Sequence, residues 1–558
     1  MTNHEPLNQF SLNTLSSLPV QELARIILTQ FSQIQTQVAQ IRDQAAQVQT
    51  QFGQIQAQAE QITVMQKTIE ELKDEISRLN NTPKRPKFRA GGMEPRDRSK
   101  KNKPNNRSGI FDPIEAQDNP RKEKEEKRIP PDNIPKGSRF KGYQDFTVQE
   151  IELHVKETTY KLEVWQAPDG TIHRGKLPEG LQGQHFGPEL RAFMVNLYAQ
   201  CMTQPCILDF LHGVGVDISS GQVHNIMINE SERFSTLSEN ILSVGLKEAD
   251  YIETDDTGAK HRNKNGYCTY IGGKHFSYYK STPSKSRENF LRILLQGKEG
   301  YHINDALLWH LSQCGVKDHI LYLFEECKGK RYTSKQRFQR LLKDLSIKGE
   351  KLTKQSLEAA RIGFISDTIL KQDQVLISDR AGQFSLMNHA GCWVHMERPL
   401  RKIPMTNPLI EANLKELRSI IWETYRKLKE VVIKGIGREE VESLYDKIVS
   451  TKSLSPQIME VVKNFRDYRE ELLKALDYPA VPLHNNGSEQ SVREMVKRRD
   501  VCGSTHSEEG QKFRDGLATI KQTCRKLGLS LYSFVLQYFR GHPLDLSDLI
   551  RQSYRSPA

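Results

Sequence analysis

Cysteine is scarce, with eight in 558 residues. That is too few for a disulfide scaffold and points to a reducing compartment. No stretch approaches the roughly 18 consecutive apolar residues that a membrane span requires. The opening residues, MTNHEPLNQFSLNTLSSL, hold no basic stretch running into an apolar one, so no secretory signal is expected. These absences exclude the membrane, secreted and collagen-like classes. Apolar residues make up 37% and charged residues 27%, which describes a soluble, largely globular chain of three or four domains with some extended sequence. Lys and Arg number 81 against 69 Asp and Glu, a net charge of +12. A polyanionic partner follows, with nucleic acid as the first choice.

The charge is concentrated. Between Lys84 and Arg107 ten basic residues, among them Lys84, Arg85, Lys100 and Lys101, face only Glu94 and Asp97. Pro83, Pro86, Gly91, Gly92, Pro95 and Pro104 interrupt this run, so it reads as an unfolded tether able to grip phosphates without sequence preference. Ahead of it, Val20, Ile27, Ile34, Ile41, Val48, Ile55, Ile62, Ile69 and Ile76 recur every seven residues. Phe31, Val38, Ala45, Phe52 and Ala59 supply a second seam at +4, which changes to +3 at Met65. The spacing predicts a coiled coil about 90 Å long, locally overwound near Ile62, through which the protein self-associates.

The globular part is expected to open near Phe140 with a small antiparallel unit built on IELHVKETTYKLEVWQAPDGTI. A helical stretch follows, in which CILDFLHGVGVDISSGQVHNIMI reads as helix, glycine turn, Ser219 or Ser220 cap, helix. Val223, Ile226 and Met227 would face the core. Gln222, His224 and Asn225 would project outward, as the reading positions of a DNA-binding helix do. From residue 250 the pattern becomes α/β: ADYIETDDTG as a strand ending in carboxylates, NGYCTYIGGKHFSYYKST as a hairpin, SRENFLRILLQ as a helix capped by Ser286, QVLISDRAGQF as a buried strand ending on Asp379, and a helix starting near Glu489. That order is the order of an RNase H-like nuclease core, with two long helical insertions.

Converging carboxylates repel one another, and a hard divalent cation relieves the repulsion. Two such ions can activate an attacking water or 3′-hydroxyl and stabilise the leaving oxygen of a phosphodiester. Each acid also has a plain structural reading: Asp255 or Asp256 as strand terminators, Asp379 as a turn former, Glu489 as a capping-box glutamate after Asn486. Alternation alone does not choose between Asp255 and Asp256.

Taken together, these blocks resemble the insertion-sequence 66 family of bacterial DDE transposases. The family's first catalytic block resembles Thr254-Asp255-Asp256-Thr257 and selects Asp255. Its second acid corresponds to Asp379, followed by Cys392-Trp393-Val394-His395, and its third to Glu489 in Asn485-Asn486-Gly487-Ser488-Glu489. Here His484 and Gln490 depart from the family pattern, and its cysteine-rich zinc module is absent, so no structural zinc is expected. The resemblance implies Mg²⁺, for which Mn²⁺ could substitute, held by Asp255, Asp379 and Glu489. It implies phosphate contacts from Lys497, Arg498 and Arg499, with transposon ends and target DNA as partners. Accessory proteins of the same element and a cytoplasmic, nucleoid-associated location are implied as well. The alternatives are a structure-selective nuclease on the same core and a catalytically inactive DNA-binding descendant. The expected organisation is a multidomain α and α/β chain: coiled coil 1–80, basic Pro/Gly-rich linker 81–139, strand-rich unit 140–185, helical DNA-binding region 186–245, RNase H-like catalytic domain with helical insertions 246–540, and a tail 541–558.

Overall fold

The computed structural model describes residues 19–44 and 126–556, apart from residues 23, 26, 41, 133, 145, 182, 387 and 404–407. The chain divides into two units, 1–96 and 97–558. Of the first, residues 27–40 are helical, as are 20–22, 24–25 and 42–44. The heptad side chains Val20, Ile27, Phe31, Ile34 and Val38 are exposed along it. The rest of the expected coiled coil, its change of spacing at Ile62 and the basic run with Lys84, Arg85, Lys100 and Lys101 lie outside the described residues.

In the second unit the strand-rich segment is smaller than its alternation predicts. Among its described residues only β1 (Val164–Gln166) and β2 (Ile172–Arg174) form, as an antiparallel hairpin around the Pro-Asp-Gly turn. Ile151, Leu153 and Val155 remain exposed and unpaired. Alternation makes a strand only where a layer covers its apolar face, and a lone hairpin has none.

Four helices follow: α1 (Pro188–Ala199), α2 (Gln204–Gly213), α3 (Ser220–Ile228) and α4 (Ser231–Glu248). Ser219 caps α3 in a reciprocal box with Gln222. The central sheet runs β5-β4-β3-β8-β9. β3 (Tyr251–His261), β4 (Lys264–Gly272) and β5 (Ser277–Thr282) are antiparallel, whereas β8 (Val375–Ser378) and β9 (His389–Gly391) run parallel to β3. Between β5 and β8 come α5 (Arg287–Leu295), capped by Ser286 as expected, and a first insertion. The insertion comprises β6 (Tyr301–His302), α6 (Asp305–Gln313), α7 (Asp318–Glu325), β7 (Arg331–Tyr332), α8 (Lys335–Asp344) and α9 (Glu350–Phe364). Tyr301, Leu307, Phe324, Phe338 and Ala359 give it a hydrophobic core of its own.

After β9 come α10 (Trp393–Glu397) and a second, all-helical insertion of α11 (Pro408–Lys434), α12 (Arg438–Ser450), α13 (Pro456–Asp467) and α14 (Arg469–Leu473). Trp393 is its anchor. The indole is fully buried, stands edge-on to Tyr425, Tyr445 and Phe465 at 5.8–6.1 Å, and donates to the Leu472 carbonyl at 2.8 Å. Trp393→Ala is expected to cost about 3–5 kcal/mol, the range for removing a buried aromatic ring, and urea denaturation would measure it.

The chain closes with α15 (Asn486–Cys502), α16 (Glu508–Lys526), α17 (Leu531–Phe539) and α18 (Leu546–Arg555). One continuous core joins α1–α4, the sheet and α16–α18, so the boundary expected at residue 245 separates no two cores. The expected tail is likewise part of the fold. Leu546, Ile550 and Tyr554 recur every four residues, a helical stripe that packs into this core.

Candidate active site

The sheet register brings two of the carboxylates together. Tyr251, Ile252 and Glu253 of β3 pair with Val375, Leu376 and Ile377 of β8 in parallel. The same offset, continued two residues, would bring Asp255 level with Asp379, which directly follows β8, and the Asp379 charge is felt at Asp255. The third acid arrives on α15, which packs along β3. Asn485 donates to the Thr254 carbonyl at 3.0 Å and Arg499 to the Gly258 carbonyl at 2.9 Å. Gly487 lies so close to the Glu253 carboxylate that a Cβ has no room there. Glu253 shares a strand face with Asp255, so α15 covers the Asp255 side.

Electrostatics separates the two neighbouring aspartates. Burial pushes the Asp255 carboxyl up to about 7, against the pull of the Asp256 backbone N–H, and the charges of Asp379 and Glu489 push it further. Asp256 is also raised by burial, but Thr269, Gln383 and Lys285 stabilise its charge, and Gln383 donates to its Oδ2 at 3.0 Å. Asp255 is therefore the aspartate coupled to both other acids. Its ionisation is harder in the folded chain than in the unfolded one. Its contribution to stability is thus full below about pH 4, falls as pH rises, and is lost above about 7. Without metal, Asp255→Asn is expected to unfold later than the parent at about pH 8, by roughly 2–4 kcal/mol, and to converge on it near pH 4. Thermal melts across that range would show it, and a constant gap would mean that Asp255 does not titrate there.

Glu489 is not a cap. Asn485 precedes the helix without a side-chain cap bond, and Glu489 Oε1 instead meets Arg398 Nη2 at 3.1 Å and His395 Nε2 at 3.3 Å. The Cys-x-x-His block thus divides its labour. Cys392 and Trp393 are buried, with Cys392 Sγ accepting from the Asn485 backbone at 3.2 Å, while His395 reaches the third acid. Burial, ahead of the Arg398 charge, keeps His395 below its ordinary range. The place of His395, and Arg398 altogether, escaped sequence reasoning.

Two further supports were invisible in the sequence. Arg380, directly after Asp379, has φ +71°, a left-handed conformation costly for a residue with a side chain. Glu471 of α14 holds it there, accepting from Arg380 Nε at 3.1 Å and pairing with His389 of β9 at 2.9 Å. On the other side of the loop Arg287 donates to the Gly382 carbonyl. The loop bearing Asp379 is therefore tied to α14 and to α5. A cation beside an acid in a short loop is a common pattern, so only the long-range partners identify these roles.

The expected DNA contacts fare unequally. Arg498 is buried, donates to the Tyr198 carbonyl at 2.6 Å and lies over the Tyr198 ring. It ties α15 to α1 and is withdrawn from phosphates, contrary to expectation. Arg499 is engaged by Gly258 and by Asp500. Lys497 is exposed, as is Arg493 one turn after Glu489. Val223, Ile226 and Met227 are buried and Gln222, His224 and Asn225 exposed, as the hairpin reading requires. Gln222 is partly occupied, because its side chain accepts from the Ser219 backbone at 2.8 Å.

Among the described residues, no three His, Cys, Asp or Glu side chains stand close enough to form a ready metal cage. The donor chemistry nevertheless suits a hard divalent cation. Asp379 and Glu489 lie near enough to Asp255 to raise its carboxyl by their charge, and Asn485 Oδ1, beside Thr254, is buried without a hydrogen-bond partner. An orphaned acceptor of this kind calls for a cation or its water.

Residues 330–513 match the family model described as "Transposase IS66 family", a span that includes Asp379 and Glu489. The chain is also 33% identical over 300 residues to "Uncharacterized protein y4jO" of Sinorhizobium fredii (strain NBRC 101917 / NGR234). That alignment covers 53% of this chain and 93% of the relative.

Proposed function

The chain belongs to the IS66 transposase family, and from that membership we propose that it cuts transposon ends and joins their 3′-hydroxyls to target DNA, using Asp255, Asp379 and Glu489. What supports this reading is the parallel pairing of β3 with β8 as far as Glu253 and Ile377, each two residues short of an acid, together with the charge that Asp379 and Glu489 exert on Asp255. A five-stranded sheet in the order β5-β4-β3-β8-β9 fits an RNase H-like core. Mg²⁺, or Mn²⁺ in its place, would be held by the three carboxylates and would supply the charge that activates an attacking oxygen and stabilises a leaving one.

The chain's own residues prepare that state. Asp255 gives up the proton that its surroundings favour. Glu489, held by Arg398 and His395, would be the third carboxylate to face the cation, and the Arg398 guanidinium beside it could meet a phosphate oxygen. Arg287 and Glu471 hold the Asp379 loop fixed. Lys497 and Arg493 face solvent on the same helix as Glu489 and neutralise backbone charge, with Gln222 and Asn225 of α3 as candidate base contacts. The N-terminal helix, with its exposed heptad seam, joins copies so that two ends can be paired. Accessory proteins of the element and the nucleoid are the further partners of this reading. Its test is incubation of the full chain with DNA carrying the element's ends. Cleavage that leaves 3′-hydroxyls, needs Mg²⁺ and stops on chelation supports it; metal-independent cleavage contradicts it.

A further inference from the structure

The first insertion carries a charged face that the catalytic centre does not use. Residues 328–354 hold ten Lys and Arg against Asp344 and Glu350, a net +8. With the +8 of the run from Lys84 to Arg107 set aside as well, the remainder of the +12 chain is net −4. Lys328 is neutralised by Asp305 and Glu325. The other nine cations are exposed, and among the described residues none forms an ion pair. The second insertion treats its surface differently: Arg438 pairs with Glu442 and Asp477, Lys427 with Glu440, and Arg469 with Asp446.

The unpaired charges do not serve the fold. α8 is held by buried Phe338, Leu341 and Leu342 and by the Ser334 cap. Lys335 and Arg337 occupy its first turn, where the helix dipole favours acids and disfavours cations. On the outer side, Gln336, Gln339, Arg340 and Lys343 line a cavity of about 470 Å³ with Thr353 of α9, its floor closed by the buried Leu342 and Ile347. Protein-binding surfaces centre on buried aromatic and apolar anchors. What this one exposes is mainly cations and amides, the groups that bind a sugar-phosphate backbone.

The insertion is also fixed relative to the catalytic loop. Glu358 of α9 pairs with Arg287 at 3.5 Å and with His310 at 3.2 Å. The same Arg287 donates to the carbonyl of Gly382, three residues after Asp379. We propose that the α8 face grips the backbone of duplex DNA on one flank of the scissile phosphate, so that the insertion sets the position of the duplex over the carboxylates. This rests on the transposase reading and adds to it a second, folded DNA contact.

The test replaces Lys335, Arg337, Arg340 and Lys343 together by Gln in the full chain. Binding to a random-sequence duplex is then measured over a range of salt. Each lost phosphate contact removes about 0.9 from the log–log slope, so the slope is expected to become shallower by about 3.6, with a melting temperature no lower than the parent's. The variant is also expected to lose cleavage of long duplexes more than of short ones that end near the scissile bond. A slope equal to the parent's, with cleavage intact in both, overturns the proposal and leaves the transposase reading standing. An unchanged slope accompanied by lost binding to polyglutamate overturns it in favour of an acidic protein partner. A parent that binds no duplex at all removes the functional reading and this proposal with it.

Discussion

Asp255→Asn and Asp379→Asn are each expected to lower metal-dependent end cleavage by roughly three orders of magnitude, about 4 kcal/mol of transition-state stabilisation, while binding to the ends changes little. Each substitution removes one charge at nearly constant volume from two acids whose charges act on one another. Combining them should cost little more than either alone, because the carboxylates act as one unit. Asp256→Asn is the control. Its carboxylate is already served by Gln383, so activity should fall by less than about tenfold. If Asp256→Asn is the inactive variant and Asp255→Asn the active one, the assignment along β3 is reversed.

The second large effect concerns assembly. Ile27, Phe31, Ile34 and Val38 leave an apolar seam exposed on the N-terminal helix, and a seam of this spacing is stable only against another helix. Asp at Ile27, Ile34 and Val38 would place charges in that contact at a cost of several kcal/mol, enough to abolish association at micromolar concentration. The catalytic unit, with its own core, should keep its melting temperature and its binding to single ends. Coordinated cleavage of two ends should be lost. Light scattering that returns the parental mass would put the self-association interface outside this helix.

Much of the catalytic sheet was legible, for an identifiable reason. The apolar run ending at Asp379, the paired segments around Gly272 and the Ser286 cap are local patterns, and each formed where its residues stand, whereas β3 runs past Asp255 to His261 instead of ending in the carboxylates. What local pattern cannot supply is the partner. Arg498 reads as a phosphate contact beside Lys497 until Tyr198, 300 residues earlier, takes it into the core. Glu471 and Arg287 carry no motif, and their roles exist only because the insertions return to the Asp379 loop. Ile151, Leu153 and Val155 alternate like a strand and form none, since nothing covers them. Leu546 and Ile550 looked like a tail because the groove that receives them is built from α4.

The reading of the three acids as a strand-transfer centre is tested most directly by joining rather than by cutting. Pre-cut end DNA with a labelled 3′-hydroxyl is incubated with a supercoiled target plasmid, Mg²⁺ and either the parent or Glu489→Gln. The parent is predicted to transfer label covalently into the plasmid, and Glu489→Gln to transfer none while still folding and binding the ends. Label transfer by Glu489→Gln at the parental rate would contradict the site. A parent that nicks the plasmid but never joins the end to it would make the protein a nuclease instead of a transposase.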